Sequence, residues 1–300
     1  VPVTEEYAHV EDPLVIFTGP SPRGWHRLQM AAECLQKYAW SYENGPRKDI
    51  SKKPPLAIGS LLHLALAQFY ARMKQEQEGK NPNEYMDPAE AVRLVARVQD
   101  TEKHVKNVLA TFRAYEQRYW QDINTRRIVA VETLYDGTVG PFRLTGRLDL
   151  MYEDLGGRLW AEDHKTSGRL TKKHKEYFAV SGQMLGYEHI VRQQNPALAG
   201  FKVNLIQHTG HDATNDPKFE RVTLPARPAL SAQFVERAID IERSIERTKA
   251  EGRAVDEWPK AMSELVCYHR YGACDYIDQC RFGPQAKKAG AWEFDMDDWG

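Results

Sequence analysis

Three residues equipped for hydrolysis stand in one short stretch, Gly146 to Lys165 (GRLDLMYEDLGGRLWAEDHK): Asp149, Asp163 and Lys165. Arg143 to Met151 alternates apolar and polar residues and reads as a β-strand carrying Asp149, while Arg158 to Lys165 reads as a returning strand. Between them Glu153 to Gly157 forms a glycine-rich turn. Side chains alternate faces along a strand, so Asp163 and Lys165 project to one side. Carboxylates from neighbouring strands suit Mg²⁺ or Mn²⁺, hard cations that prefer oxygen and keep waters for substrate phosphates. A cation so held acidifies a bound water and neutralises phosphodiester charge. A lysine beside it can orient or deprotonate that water, or stabilise the transition-state charge. A solvated hairpin with ordinary surface charge is the bland alternative, and Asp-x-Lys alone does not exclude it.

The flanking elements must position these groups. Ser21-Pro22 begins an expected helix to about Tyr42 that contains Cys34, and Asn44-Gly45-Pro46 stops it. Ile58 to about Lys74 keeps a helical apolar stripe with His63 beside it, one turn after Gly59, which leaves room for another group to approach. Asp87 caps an expected long helix to about Trp120. From Ile128 the period becomes that of a strand bearing Glu132, and Asp136-Gly137 signals a hairpin turn. Thr166 to Lys175 reads as a polar loop, Tyr177 to Gln193 as a helix carrying Gln183 and Tyr187 on one face, and Phe201 to His208 and Phe219 to Leu224 as strands. Ala229 to Arg253 reads as an amphipathic helix, followed by a tail with Cys267, Cys274 and Cys280 and an acidic end.

Composition sets bounds. Three hundred residues suit one catalytic domain with sizeable additions. The 41 basic and 42 acidic residues nearly cancel, so nucleic-acid contacts must come from local basic patches. No apolar run approaches a membrane span and the N-terminus lacks a signal-peptide pattern, which predicts a soluble, cytosolic chain. Four cysteines then point to metal binding or buried thiols before disulfides. Four thiolates can hold tetrahedral Zn²⁺ or a [4Fe–4S] cluster, and buried small side chains are the alternative. The best basic patch is Arg169, Lys172, Lys173, His174 and Lys175, with Lys48, Lys52 and Lys53 as a second; solvated loops would look the same. Trp25, Trp40 and Tyr42 could stack on bases, although core packing suits most of them better.

Taken in order, Gly59-Ser60-Leu61-Leu62-His63, Glu132, Gly146-Arg147-Leu148-Asp149, Asp163-His164-Lys165-Thr166 and Gln183-Met184-Leu185-Gly186-Tyr187 resemble the motifs of the PD-(D/E)XK nuclease superfamily. The chain looks most like the RecB/AddB-type branch with an iron–sulfur cluster, which includes CRISPR adaptation nucleases and stand-alone phage exonucleases. That resemblance implies a mixed central β-sheet flanked by helices, in an α/β restriction-endonuclease-like core at 56–253 with a helical insertion at 88–121. It implies an N-terminal segment at 1–55 and a tail at 254–300, joined through a four-cysteine cluster.

Mg²⁺ or Mn²⁺ would be held by His63, Asp149, Asp163 and the backbone carbonyl of His164. Lys165 would handle the attacking water, Glu132 would assist, and Gln183 and Tyr187 would position substrate. Cys34, Cys267, Cys274 and Cys280 would hold a structural [4Fe–4S] cluster, although such tails often begin Cys-x-x-Cys and here six residues separate Cys267 from Cys274. The implied activity is cleavage of DNA, most naturally at ends, in a prokaryotic or phage-encoded protein working in repair or beside recombination or replication proteins. No Gly-x-x-x-x-Gly-Lys-Ser/Thr motif marks a helicase. Two other readings stay open: a catalytically weak DNA-binding accessory protein retaining the fold, and a zinc-stapled metalloenzyme with another substrate.

Overall fold

A computed structural model describes residues 15–16, 21, 23–43, 54–208, 216–269 and 272–283. In chain order its elements are α1 (Trp25–Glu33), α2 (Leu35–Tyr42), α3 (Pro54–Gln77), α4 (Pro88–Val98), α5 (Val105–Tyr119), α6 (Asp122–Thr125), β1 (Arg126–Val139), β2 (Phe142–Asp154) and β3 (Leu159–Ser167). Then come α7 (Lys172–Ala179), α8 (Gly182–Gln194), β4 (Gly200–Gln207), β5 (Lys218–Thr223), α9 (Pro228–Ala250), α10 (Glu264–Cys267), β6 (Tyr268–His269), β7 (Gly272–Ala273) and α11 (Ile277–Phe282). These residues divide into two compact units, one within 1–25 and 49–237, the other within 26–48 and 238–300.

The first unit is built on a five-stranded mixed sheet, β1-β2-β3-β4-β5. β1, β2 and β3 run as an antiparallel meander, β3 and β4 pair in parallel across the α7–α8 crossover, and β5 returns antiparallel. This is the mixed, helix-flanked α/β sheet that the resemblance implied. Helix α3 packs into the core with α4 and α5, burying Ile58, Leu61, Leu62, Leu66 and Tyr70 beside Leu150, Tyr152 and Ile206. At 24 residues α3 is long and apolar enough to cross a membrane, unlike any run expected from the sequence, but 67% of its most apolar window is buried inside the protein. It is a core helix.

Several expected boundaries move, each for a local reason. The expected helix from Ser21 to Tyr42 is two, because Cys34 adopts an extended backbone (φ −162°, ψ 114°) between α1 and α2. The expected helix from Asp87 to Trp120 is also two, interrupted where Asp100 takes φ 55°, although Asp87 does cap α4 by accepting from the amides of Ala89 and Glu90. Asp136-Gly137 is not a turn: both residues lie in β1, paired with Thr145 and Leu144, and the chain reverses at Gly140-Pro141. Gly140 supplies the positive φ, whereas Gly137 serves packing, since a Cβ there would stand 2.5 Å from Gln193 Oε1 on α8. The polar stretch after Lys165 is not all loop, for α7 takes in Lys172, Lys173 and Lys175, and the expected helix from Tyr177 divides at Val180-Ser181 into α7 and α8. Lys48, Lys52, Lys53, the Asn44-Gly45-Pro46 stop and the acidic C-terminal end lie outside the described residues.

Beneath one face of the sheet the unit buries a polar network. Arg221 on β5 donates to both oxygens of Asp122 (2.9 and 2.6 Å) and to the hydroxyls of Tyr70 and Tyr115 (2.8 and 3.1 Å). Arg126 donates to Glu162 Oε2 at 3.0 Å, and Arg221 stands 3.7 Å from the other Glu162 oxygen. Asn204 completes it, donating to Tyr115 Oη (2.7 Å) and meeting His164 Nδ1 (2.9 Å). Burial opposes the charge on Glu162, and Arg126 and Arg221 hold its carboxyl below the usual range nonetheless.

In the second unit, Gln36 and Trp40 of α2 donate to Val255 O and Asp256 Oδ1, each at 2.6 Å, and Ser41 shares a hydrogen bond with Tyr276. Trp40 is therefore a core residue and not a base-stacking surface. All four cysteines belong to this unit.

Replacing Glu162 by Ala takes the 3.0 Å carboxylate from Arg126 in the interior and leaves it only Asp122, 3.5 Å from its Nε. The expected loss is about 3–5 kcal/mol of unfolding free energy, read by urea titration of far-UV circular dichroism; a loss below about 1 kcal/mol would mean that the network does not hold the sheet.

Candidate active site

The catalytic candidates converge in the first unit from α3, three adjacent strands and α8. By the β2–β3 register Asp149 and Asp163 stand side by side, because Leu150 pairs with Glu162. Alternation sends Asp163 and Lys165 to one face and Glu162 and His164 to the other. Lys165 Nζ lies 2.5 Å from Asp163 Oδ2. Asp149 Oδ2 accepts the backbone N–H of His164 at 2.5 Å and lies 3.5 Å from His63 Nδ1. His63 reaches this point because α3 approaches β3 closely: a Cβ on Gly59 would stand 3.0 Å from Thr166 Oγ1.

Glu132 contributes the least expected geometry. It falls opposite Asp149, between the pairs Val131–Leu150 and Thr133–Leu148, yet makes no ladder pair itself. Its backbone is left-handed, φ 46°, inside a long strand. For a residue with a Cβ that conformation costs of order 1–3 kcal/mol and persists only where the surroundings enforce it. Arg147 supplies part of that enforcement, donating from Nη1 to the Glu132 carbonyl at 2.8 Å. The outcome is a tight group: ligand atoms of His63, Glu132 and Asp149 all lie within 4.8 Å of one another. Glu132, expected only to assist, thus lies as close to His63 and Asp149 as a metal ligand would, and Asp163 beside them pairs with Lys165. Arg147 had no expected role, although its place two residues before Asp149 puts it on the same face.

Gln183 and Tyr187 also reach the site. Gln183 Nε2 donates to Tyr187 Oη at 3.0 Å, and the phenol is pushed up by burial, then by Asp163 and Asp149 nearby. A Cβ on Gly146 would stand 2.7 Å from the Tyr187 ring, so the glycine of the Gly-x-x-Asp stretch makes room for the tyrosine. The ring of His164 stacks on Tyr70, bonds to Asn204 and stands edge-on to the His63 ring at 6.0 Å, and burial lowers its pKa to about 4, keeping it neutral. The basic candidates Arg169, Lys172 and Lys173 are exposed and make no ion pair among the described residues; the side chain of Lys175 lies outside the described set.

Crowding of acids dominates the electrostatics. Burial, then Asp149, pushes Glu132 well above the usual carboxylate range. Burial also raises Asp163, to about 6, against the pull of Lys165. Burial opposes charge on Asp149 too, but His63 holds its carboxyl below the usual range, and Asp149 in turn raises His63. Three acids and an imidazole gathered together, with Glu132 and Asp163 both pushed toward the protonated form, fit Mg²⁺ or Mn²⁺.

A model of the PD-(D/E)XK nuclease superfamily matches residues 25–281. The chain belongs to that superfamily, whose members are nucleases that usually work with Mg²⁺ or Mn²⁺. No curated protein sequence matches it. Among solved structures, one described as a candidate exonuclease from Eubacterium rectale, determined at 2.19 Å, aligns over 97% of this chain and 99% of its own, with a TM-score of 0.51 and 13% identity. At that identity the likeness speaks for the fold alone. SSO0001 aligns over 50% of this chain and 69% of its own at 16% identity, and its TM-score of 0.27 carries no argument.

The raised Glu132 pKa fixes the sign of a pH effect. The native state retains a proton that the unfolded chain releases above about pH 4.5, so Glu132 destabilises the metal-free protein as pH rises from there toward its folded pKa. Relative to Glu132→Gln, metal-free wild type should lose up to about 1.4 kcal/mol per pH unit across that window. Parallel urea titrations in chelator measure this; parallel stability–pH curves would show that Glu132 is not held protonated.

Proposed function

We propose that this chain hydrolyses DNA phosphodiesters with Mg²⁺ or Mn²⁺ and acts at strand ends. The observation that carries the reading is the grouping of His63, Glu132 and Asp149, with the Asp163–Lys165 pair on the strand next to Asp149. His63, Glu132 and Asp149 would hold the cation, with Asp163 next to them; bound there, it acidifies water and neutralises phosphate charge. Lys165 is half-buried against Asp163. Its ammonium orients the attacking water and stabilises charge developing on the phosphate. The Gln183–Tyr187 pair holds a hydroxyl donor near Asp163 and Asp149 and positions the substrate strand. Arg169, Lys172, Lys173 and Lys175 lie along the chain between these two sets and offer charge to the phosphates. Action at ends agrees with the description of the Eubacterium rectale protein.

The same reading assigns Cys34, Cys267, Cys274 and Cys280 to a structural [4Fe–4S] cluster of the RecB/AddB type. Burial raises the Cys280 thiol, and Cys34, Cys274 and Cys267 all act on it electrostatically, which supports one shared centre. Bound there, the cluster would tie the Cys34 backbone to the tail.

Two outcomes are expected. Wild type should degrade end-labelled DNA with Mn²⁺ or Mg²⁺, Asp149→Ala should abolish this, and Lys165→Ala should slow it by about 10²–10⁴-fold with the circular dichroism unchanged. Full activity in both variants would sink the assignment. Anaerobically purified protein should contain iron and acid-labile sulfide, about four of each per chain; stoichiometric zinc without iron would overturn the cluster.

A further inference from the structure

Helix α7 links the two halves of the site, following β3 with Lys165 and preceding α8 with Gln183 and Tyr187. It is firmly seated. Arg227 donates to the carbonyls of Phe178 and Ala179 (3.4 and 2.8 Å) at the α7 C-terminus, and its other nitrogen reaches Glu188 Oε2 of α8 at 3.0 Å. At the other end the N–H of Leu170 donates to Gln207 Oε1 of β4. Phe178 is buried, which fixes the rotation of the helix.

The outward side then carries an unusual combination. Tyr177 is 60% exposed and Val180 63% exposed. Lys173 precedes Tyr177 by four residues, so the two share one helix face. Lys172 and Arg169 extend the positive charge toward β3, with Glu176 the one acid on the helix. Among the described contacts, the Tyr177 ring meets only its neighbour Phe178, edge to face at 5.2 Å. A large aromatic face left in water on an anchored helix, flanked by cations that make no ion pair among the described residues, matches what an unpaired nucleotide needs: a π-surface for the base and positive charge for the phosphates.

We propose that α7 is a single-strand platform: Tyr177 stacks on an unpaired base of the substrate while Arg169, Lys172 and Lys173 carry the adjoining phosphates. The inference rests on the nuclease reading and gives it a substrate class, DNA with a single-stranded or frayed end. A closed duplex, whose bases are already stacked, gains nothing from Tyr177.

Binding is read by fluorescence anisotropy with Ca²⁺ in place of Mg²⁺, on a short labelled single strand and on a duplex closed by hairpins. Tyr177→Ala should weaken single-strand binding about tenfold and leave duplex binding and the salt dependence unchanged, while Tyr177→Phe keeps wild-type affinity. Lys173→Ala should reduce the slope of log K against log salt by about 0.7. Equal losses on both DNAs, no loss on either, or a Tyr177→Phe that behaves like Ala would overturn the platform. Wild type that cleaves no DNA with Mn²⁺ overturns the nuclease reading on which the proposal rests. Cleavage that persists while Tyr177→Ala binds single strands normally overturns the platform alone.

Discussion

Four polar residues in a row, Glu162-Asp163-His164-Lys165, run through the middle of the sheet on β3, and the first three are buried. A strand buried on both faces would ordinarily be apolar, so each of these groups needs a partner. The two faces answer differently. Beneath, Glu162 and His164 enter a network in which Arg126, Arg221, Asn204, Tyr70 and Tyr115 meet the demand from α3, α5, β1, β4 and β5. Above, Asp163 finds Lys165, but Asp149 and Glu132 crowd in beside it, and burial with the Asp149 charge pushes Glu132 toward its protonated form. One face supplies rigidity and the other gathers carboxylates. Both follow from the same four residues and the two-residue period of a strand.

Close approach is the second constraint. The site draws on elements that must come nearer than ordinary side chains permit, and two glycines provide the space: Gly59 for the α3–β3 contact and Gly146 for the Tyr187 ring. The backbone of Glu132 contributes differently. Its left-handed conformation takes it out of the β1–β2 ladder, and Arg147 accepts the task of bonding the released carbonyl. Buried like charges and a strained residue together mark a place where stability has been given up locally, a pattern expected at functional sites.

Much of the architecture was legible because its signals are local. The Asp154 turn is one such case: its carboxylate accepts from Gly156 and Arg158, and Gly157 has the positive φ that a glycine-rich turn suggests. Asp87 capping α4 is another. The failures share a cause. Asp136-Gly137 has the composition of a turn, but α8, more than fifty residues later, packs against Gly137 and keeps it in the strand, while Gly140 makes the reversal. The breaks at Cys34, Asp100 and Val180 interrupt stretches whose composition would sustain a helix, so only contacts made elsewhere could announce them.

By itself the sequence singled out the candidate residues and which of them share a face, because residue type is explicit and the periods of strand and helix are local geometry. Asp149, Asp163 and Lys165 stood out on those grounds alone. The tertiary structure alone decided how closely Glu132 approaches His63 and Asp149, that Lys165 pairs with Asp163, and that Arg147, Asn204 and Arg221 support the strands. Those outcomes depend on a left-handed backbone, on missing Cβ atoms at contacts between distant segments, and on the low polarity of a packed interior. None of these exists until the chain has closed around them.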